Sequence, residues 1–247
     1  MAEAARSGRL SWQIAHVVEL VHETAHTTTI VLAVPSWQGH HAGQHVHVRL
    51  SAADGYRAQR SYSLASAPED QHLTLTVESI EDGSVSPYLA QTLRVGDELE
   101  LRGPLGDAFV WRCTQPEPLQ LIAGGSGIVP LRAMLRHRVA NATSTPARLL
   151  YSARSMADLI YAAEIPGWRQ TGAEVVVTLT RRCPTGWGGY RRRVDRQMID
   201  VAAIAPDHQP QIYVCGPTAF VETVGVLLVE AGHAAANIRI EEFCPTG

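Results

Sequence analysis

The first half of the chain alternates apolar and polar residues with the two-residue period of β-strands. This pattern, or a high content of Thr, Val and Ile, marks four runs before about Val110: 27–34, 45–50, 73–78 and 98–102. Glycines and prolines separate the runs, as they do at the turns of antiparallel sheets. Several short strands with turns between them predict an antiparallel barrel or sandwich.

The second half, after about Gln115, has a different pattern. Short strand-like apolar runs lie at 119–123, 148–152, 175–179, 212–214 and 238–241, and helix-like segments lie at 130–139, 158–164 and 218–230. Strands that alternate with helices predict a parallel sheet covered on both faces. The segment 113–118 carries two prolines and is the predicted linker, so the predicted domains are 1–113 and 114–247.

Composition excludes several classes of protein. The net charge of -3 gives no overall positive field for nucleic acid. No apolar run approaches the roughly 18–20 residues of a membrane span, and residues 1–10 lack the apolar core of a signal peptide. The four cysteines form no CxxC pair, so we expect neither a zinc knuckle nor an iron–sulfur cluster. Reduced thiols favour a cytoplasmic protein.

The strongest chemical signal is the glycine-rich segment from Gly124 to Pro130, with the sequence GGSGIVP. It follows a predicted strand and opens a predicted helix, which is the setting of a phosphate-binding loop. Backbone amides can approach a pyrophosphate there, and the helix start adds partial positive charge. The common dinucleotide fingerprint has a glycine where Pro130 stands. A plain strand-to-helix turn is the alternative that this motif alone leaves open.

Four other motifs are weak signals singly and more specific when they are considered together. They are RSYS at Arg60–Ser63, GSVS at Gly83–Ser86, GPLG at Gly103–Gly106 and CGP at Cys215–Pro217. Ser86 is expected to cap a helix start beside an anion site, and 103–106 to form a tight turn. With the glycine loop, and in this order, they resemble the RxYS, GxxS, GPxG, GGxGxxP and CGP segments of the ferredoxin–NADP reductase superfamily. The tail 241–247 is similar to the ERFGPTG-type ending of one reductase subgroup, with Glu242 for arginine and Cys244 for glycine.

The resemblance implies an antiparallel FAD-binding β-barrel followed by a parallel-sheet α/β nucleotide-binding domain. It implies that Arg60 pairs with the flavin pyrophosphate, that Tyr62 packs against the isoalloxazine ring and that Ser63 hydrogen-bonds near N5. The other implied FAD-binding residues are Ser61, His47, Leu50, Gly83, Val85, Ser86 and Phe243. Those implied for the nicotinamide dinucleotide are Gly125, Gly127, Pro130, Arg154, Arg181, Cys215, Gly216 and Pro217. Ser63, Cys215 and Glu241 are the implied catalytic residues.

The predicted electron donor is NADPH rather than NADH. The strand at 148–152 runs into Arg154 with no carboxylate at its end, and the strand at 175–179 runs into Thr180–Arg181–Arg182. A carboxylate at this position binds the ribose 2′-hydroxyl of NADH, whereas an arginine accommodates a 2′-phosphate. Asp158 is expected one turn later, inside a helix. Arginines are also common on exposed loops, so that alternative stays open.

The predicted reaction is reduction of FAD by NAD(P)H and release of electrons to a separate acceptor. A ferredoxin, an oxygenase component or a small oxidant would each fit, because the cysteines needed for a fused iron–sulfur domain are missing. A free-flavin reductase and a nucleotide-binding regulatory subunit without turnover are the alternatives. His40, His41, His45 and His47 have no cysteine or acidic partner at ligand spacing, so no metal is predicted.

Overall fold

The computed structural model describes residues 11–51, 57–81, 83 and 85–243. Ser84 and Cys244, which belong to two of the motifs, lie outside these residues. The strands are β1 (Gln13–Thr24), β2 (Thr27–Ala33), β3 (His45–Ser51), β4 (Arg57–Ser63), β5 (Leu73–Glu78), β6 (Glu98–Leu105), β7 (Leu119–Gly124), β8 (Ala147–Ala153), β9 (Ala173–Leu179), β10 (Gln211–Pro217) and β11 (Ile238–Phe243). The α-helices are α1 (Ile128–Ala140), α2 (Ile165–Gln170), α3 (Arg196–Ala202) and α4 (Thr218–Glu230).

The first six strands form one antiparallel sheet in the order β4-β3-β6-β1-β2-β5. An antiparallel bridge between Leu64 and Leu75 joins the two ends, so the sheet closes into a barrel. Alternate residues such as Val46 and Val48 fill its core. On β5 both faces are buried, because Leu75 faces the barrel core and Thr76 on the other face contacts the second domain.

Two barrel strands and one turn differ from the prediction. β1 was not predicted, because a register shift between Val17 and Glu19 interrupts its alternation. β4 is polar along its length, and the pattern placed only a strand edge there. The expected tight turn at 103–106 is wrong in part, since Gly103 and Pro104 belong to β6 and Gly106 follows with φ +84°.

The last five strands form a parallel sheet in the order β11-β10-β7-β8-β9. Alternate side chains of the central strands enter two separate cores. Leu121 and Tyr213 pack on the side of α1 and α2, and Ile122 and Val214 pack on the side of α3 and α4. The predicted fold class, an antiparallel barrel followed by a helix-covered parallel sheet, is therefore confirmed.

The predicted helix at 158–164 is wrong. The chain forms two 3₁₀ turns there, Met156–Asp158 and Ala162–Glu164, and Tyr161 between them has a left-handed backbone with φ +60°. A residue in that conformation cannot continue a right-handed helix. α3 was not predicted; the Asp195 carboxylate caps it by accepting the Met198 N–H at 2.8 Å.

Helix α1 joins the two domains. Arg136 pairs with Asp70 of the barrel domain at 2.6 Å, and His137 approaches Glu69 at 2.8 Å. The predicted linker 113–118 is a loop that leads into β7, while the boundary at residue 113 stays a prediction. No helix in the described ranges is long and apolar enough to cross a membrane.

Candidate functional site

Two cavities lie side by side where the barrel meets the carboxyl edge of the parallel sheet. The first has a volume of about 660 Å³ and the second about 370 Å³. Both fall in the range of roughly 300–1,000 Å³ in which proteins hold small molecules. Glu78 and Ser126 line both cavities, so the two share a wall. Ligands bound in them would meet at that wall.

The first cavity collects most of the residues predicted to bind FAD. Eight of them line it: Arg60, Ser61, Tyr62, Ser63, Gly83, Val85, Ser86 and Phe243. Burial raises the pKa of Tyr62 to about 12, against the opposing charge of Arg60, so its ring presents an apolar, neutral face. Thr76, Ile80, Val129 and Glu242 also line the cavity and had not been predicted. Thr76 and Ile80 lie outside every motif, whereas Val129 belongs to the glycine-rich segment and Glu242 to the C-terminal motif, although neither was expected at the flavin.

The loop at 80–86 closes one side of this cavity. The hydroxyl of Ser86 accepts a hydrogen bond from the Ile80 N–H at 3.2 Å. A Cβ on Gly83 would lie only 2.8 Å from the Ser86 oxygen, so the loop has room there for glycine alone. The prediction that Ser86 caps a helix is wrong, because its hydroxyl closes the loop instead. The π-helical turn Tyr88–Thr92 that follows has no side-chain cap.

Two predicted flavin ligands lie away from the cavity walls. His47 pairs with Ser61 in the sheet, and its ring lies 2.9 Å from Gln59 and 3.1 Å from Arg102. Leu50 packs against the barrel core. Their flavin contacts stay predictions, and the geometry of the cavity adds nothing to them.

Three predicted catalytic residues meet where the two domains touch. The Ser63 hydroxyl, at the end of β4, donates to Glu241 Oε1 at 2.7 Å. Glu241 and Cys215 are direct neighbours in the parallel pairing of β10 and β11. Burial raises the pKa of the Glu241 carboxyl, although the Ser63 hydrogen bond opposes the shift. Burial, together with Glu241, raises the pKa of the Cys215 thiol, so that thiol is neutral.

The glycine loop is shaped by its approach to β10. A Cβ on Gly127 would lie 2.0 Å from the carbonyl oxygen of Cys215, and Gly125 has a left-handed φ of +56°. Gly125 and Ser126 line the second cavity, while Gly127 is buried against β10. Pro130 is buried in the first turn of α1, where its missing N–H costs nothing. Pro217, after the buried Cys215 and Gly216, also lines the second cavity.

The strand ends at the second cavity bring together charges of both signs. Arg154 and Arg193 line it, and so does Asp158, whose carboxylate accepts from Ser155 at 2.6 Å. The expectation that no acid lies near Arg154 is therefore wrong. Arg181 is not among the lining residues, although its N–H donates to the Arg154 carbonyl at 2.9 Å. Arg193 had not been predicted, because 191–193 reads as an ordinary arginine run.

The barrel supplies one wall of the second cavity. Thr24, His26 and Thr27 line it from the hairpin of β1 and β2, opposite the glycine loop. Sequence alone could not show this, since these residues lie about 100 positions before the loop. In the described part of the chain no group of three or more His, Cys, Asp or Glu residues could hold a metal ion.

Comparison with known proteins identifies the two domains. The family described as the oxidoreductase FAD-binding domain matches residues 15–110, and the oxidoreductase NAD-binding domain matches residues 121–225. Ferredoxin–NADP reductase B of Sorangium cellulosum is 30% identical over 210 residues, which cover 82% of this chain and 84% of that protein. The chain belongs to the ferredoxin–NADP reductase superfamily.

Other members differ in length. The glycine betaine monooxygenase reductase subunit of Chromohalobacter salexigens is 30% identical over 213 residues, covering 83% of this chain but only 56% of that protein. The chain thus spans just over half of that relative. The solved FAD/NAD-binding domain of the Vibrio cholerae nitric oxide dioxygenase superposes with a TM-score of 0.83 and 26% identity, covering 94% of this chain and 99% of that domain.

Membership confirms the predicted superfamily, the order of the two domains and the pairing of FAD with NAD(P)H. Both of its domains belong to oxidoreductase families. The roles of individual site residues stay predictions.

Proposed function

We propose that this protein takes hydride from NAD(P)H onto bound FAD and passes electrons to a separate acceptor. The observation that carries the proposal is the hydrogen bond from Ser63, which lines the first cavity, to Glu241, which pairs with Cys215 on β10. The same strand ends at Pro217, which lines the second cavity. A serine from the barrel and two residues from neighbouring strands of the second sheet therefore converge. A binding module without turnover has no need of that convergence.

The residues of the first cavity fit FAD in kind and in place. Bound FAD supplies the hydride-accepting and electron-donating chemistry, which side chains cannot. Arg60 offers a cation for the pyrophosphate, and the tight loop at Gly83 and Ser86 brings backbone to the same cavity. Tyr62 offers an aromatic face to the flavin ring. Phe243 closes the wall from β11.

In this proposal Ser63, Glu241 and Cys215 orient the reacting groups and hold a proton. The Ser63 hydroxyl is held in one orientation by Glu241, so its oxygen has a lone pair free to accept from a neighbouring group. Glu241, with its raised pKa, is a half-buried group able to hold a proton at Oε1 or Oε2. Cys215 is fully buried and neutral, and it lies next to Glu241 in the pairing of β10 with β11. Gly125 and Ser126 of the glycine loop line the second cavity, where the dinucleotide would lie.

We infer a protein acceptor from the names of the relatives. One is the reductase subunit of a monooxygenase, and another is a ferredoxin–NADP reductase. An oxygenase component or a ferredoxin is therefore the proposed partner. A reducing compartment such as the cytoplasm suits the free thiols of Cys113, Cys183 and Cys215.

Purified protein tests the proposal directly. Bound flavin is released with acid and identified by chromatography, and the flavin absorbance is then followed anaerobically after NADPH or NADH is added. We expect FAD at close to one per chain and bleaching by at least one nucleotide. Flavin that washes out while free flavin is still reduced indicates a free-flavin reductase. A tightly bound flavin that neither nucleotide bleaches indicates a regulatory subunit.

We further propose a preference for NADPH. Arg154 and Arg193 line the second cavity. The backbone N–H of Arg181 donates a hydrogen bond to the backbone carbonyl of Arg154. Asp158 lines the same cavity, and its carboxylate accepts a hydrogen bond from the Ser155 hydroxyl. Two guanidinium groups against one carboxylate leave a net positive charge, which favours the extra negative charge of a 2′-phosphate.

A further inference from the structure

A buried tyrosine stands between the two cavities and touches both domains. The Tyr161 hydroxyl donates to Thr76, which lines the first cavity, and the preceding residue, Ile160, lines the second. Tyr161 exposes only 1% of its surface. Its φ of +60° is one that residues other than glycine rarely adopt, and such a conformation persists only where the surroundings impose it.

Four hydrogen bonds form a closed ring through Glu23, Thr29, Thr76 and Tyr161. The Thr29 hydroxyl donates to Glu23 Oε1 at 2.9 Å, and the hydroxyls of Thr29 and Thr76 lie 2.8 Å apart. The Tyr161 hydroxyl bonds to Thr76, and the Tyr161 N–H donates to Glu23 Oε2 at 3.2 Å. Three members belong to the barrel and one to the second domain, so the ring crosses the domain interface.

The direction of each hydrogen bond in the ring follows from which groups can donate and which can only accept. A carboxylate only accepts, so the Thr29 hydroxyl gives its proton to Glu23. Thr76 then donates to Thr29, and Tyr161 donates to Thr76. Burial raises the pKa of Tyr161, so it keeps the proton that it donates. Because every hydroxyl donates once, the ring acts as one cooperative unit.

The ring of Tyr161 is also held from its aromatic face. The guanidinium carbon of Arg132, on α1, lies 4.6 Å from the ring centre. Arg132 donates to the barrel carbonyl of Ala65 at 3.0 Å and to Glu164 at 2.7 Å. The tyrosine is thus fixed at its hydroxyl, its backbone and its face, by groups from both domains.

We propose that Tyr161 is a positioning residue that sets the spacing of the two cavities for hydride transfer. This inference rests on the proposed function. Reacting atoms must approach to about 3–3.5 Å, and a misplacement of about 1 Å can slow a reaction by roughly a hundredfold. Tyr161 connects the Thr76 wall of one cavity to the Ile160 wall of the other, so losing its hydroxyl loosens their relative placement.

The test is Tyr161→Phe, with Tyr151→Phe as the matched control. Tyr151 is also fully buried, but its hydroxyl accepts the Ile160 N–H at 3.1 Å within the second domain and does not reach the barrel. In rapid-mixing experiments we expect Tyr161→Phe to lower the limiting rate of flavin reduction by about tenfold, with nucleotide affinity within about twofold. Tyr151→Phe should reduce flavin within about twofold of the wild-type rate.

The possible outcomes distinguish a failure of the positioning role of Tyr161 from a failure of the proposed reductase function. A wild type that nucleotide does not reduce defeats both. A wild type that is reduced, with Tyr161→Phe equally fast or both variants equally slowed, overturns the positioning role alone. Hydrogen exchange, measured without nucleotide, supplies a readout independent of turnover. Tyr161→Phe should speed exchange in β2 and β5, and Tyr151→Phe should not; equal exchange in the two variants contradicts the link across the interface.

A double-mutant cycle with Glu23→Gln tests the ring itself. Glu23 lines neither cavity, and glutamine keeps its shape while losing one of the two acceptor oxygens. If the ring is one unit, the two changes together slow flavin reduction by less than the product of their separate effects. Strictly multiplicative effects show that Glu23 and Tyr161 act independently, which overturns the ring.

Discussion

At the scale of single residues, Arg60 is the side chain on which flavin affinity should depend most. Arg60→Ala removes a cation from the first cavity and should weaken FAD binding by about 1.5–3 kcal/mol, or roughly ten- to a hundredfold. Flavin retention after dialysis measures the effect. Arg57→Ala, on the same strand but outside the cavity, is the control. Full occupancy in both variants would mean that Arg60 does not hold the cofactor.

Ser63 and Cys215 should affect rate more than affinity. Ser63 lines the first cavity and donates to Glu241, and Cys215 is paired with Glu241, so both are placed where small displacements of reacting atoms are costly. Ser63→Ala and Cys215→Ala should each slow flavin reduction by about ten- to a hundredfold and change nucleotide affinity by less than about threefold. Stopped-flow bleaching separates the two quantities. Unchanged rates in both variants would remove these residues from the reaction.

Glu241 should make stability depend on pH. Its folded-state pKa is raised, so the folded state holds the proton more tightly than the unfolded chain does. Stability from this group is therefore complete at pH values below the unfolded pKa and declines as pH rises through the folded pKa. Glu241→Gln, which is always neutral, should lack this decline. Urea unfolding from pH 4 to 8 checks it, and parallel pH profiles for the two proteins would refute it.

Much of the first cavity could be predicted from residues alone, because the RSYS and GSVS motifs lie on neighbouring segments of one wall. The rest required the fold. Thr76 points into the cavity from the outward face of β5, and Glu242 reaches it from the far edge of the second sheet. Nothing in the surrounding sequence marks Thr76, and the C-terminal motif that contains Glu242 does not show that its side chain reaches this cavity, because the cavity is formed only when the domains pack together.

At the scale of elements, the turn from β7 to α1 is the most constrained. A Cβ at Gly127 would lie 2.0 Å from the Cys215 carbonyl oxygen, so Gly127→Ala must push the loop away from β10. We expect a loss of about 1–3 kcal/mol in the free energy of unfolding, measured in urea. Gly167→Ala in α2, where the new methyl would meet nothing within 4 Å, is the control. Equal stability of the two variants would contradict the close approach.

The elements themselves were predictable where their pattern was regular. α4 begins and ends where its apolar spacing predicts, and strands β7 to β10 lie within a few residues of the expected positions. The failures have physical causes. The register shift in β1 interrupts the alternation by which a strand is recognised. The polar sequence of β4 gave no sign that this strand lines a cavity. The left-handed backbone of Tyr161 prevents the helix that the composition of 158–164 favoured. Such features arise from tertiary contacts that a local window does not contain.

At the scale of the whole molecule, nucleotide choice should depend on a cavity that both domains build. We expect wild type to have a higher kcat/KM for NADPH than for NADH. Arg154→Ala combined with Arg181→Ala should cut that ratio about tenfold, since each guanidinium is exposed and screened. Arg193→Ala should cut it as well, because Arg193 lines the cavity. Arg191→Ala, outside the lining, is the control. A wild type that prefers NADH defeats the prediction.

The position of β11 has a consequence for the order in which the protein is made. Glu242 and Phe243, at the end of β11, line the cavity proposed for flavin. Most of its other walls come from the barrel, which is synthesised far earlier, and Ser126 and Val129 of the second domain complete them. Domains generally fold as units, with the N-terminal one forming first during synthesis. The barrel is therefore expected to fold while the proposed flavin cavity still lacks its second-domain wall, because the ribosome has yet to translate the following hundred or so residues. The cavity gains its last wall only when β11 pairs with β10, so we expect it to be complete only after the chain's last described strand has formed.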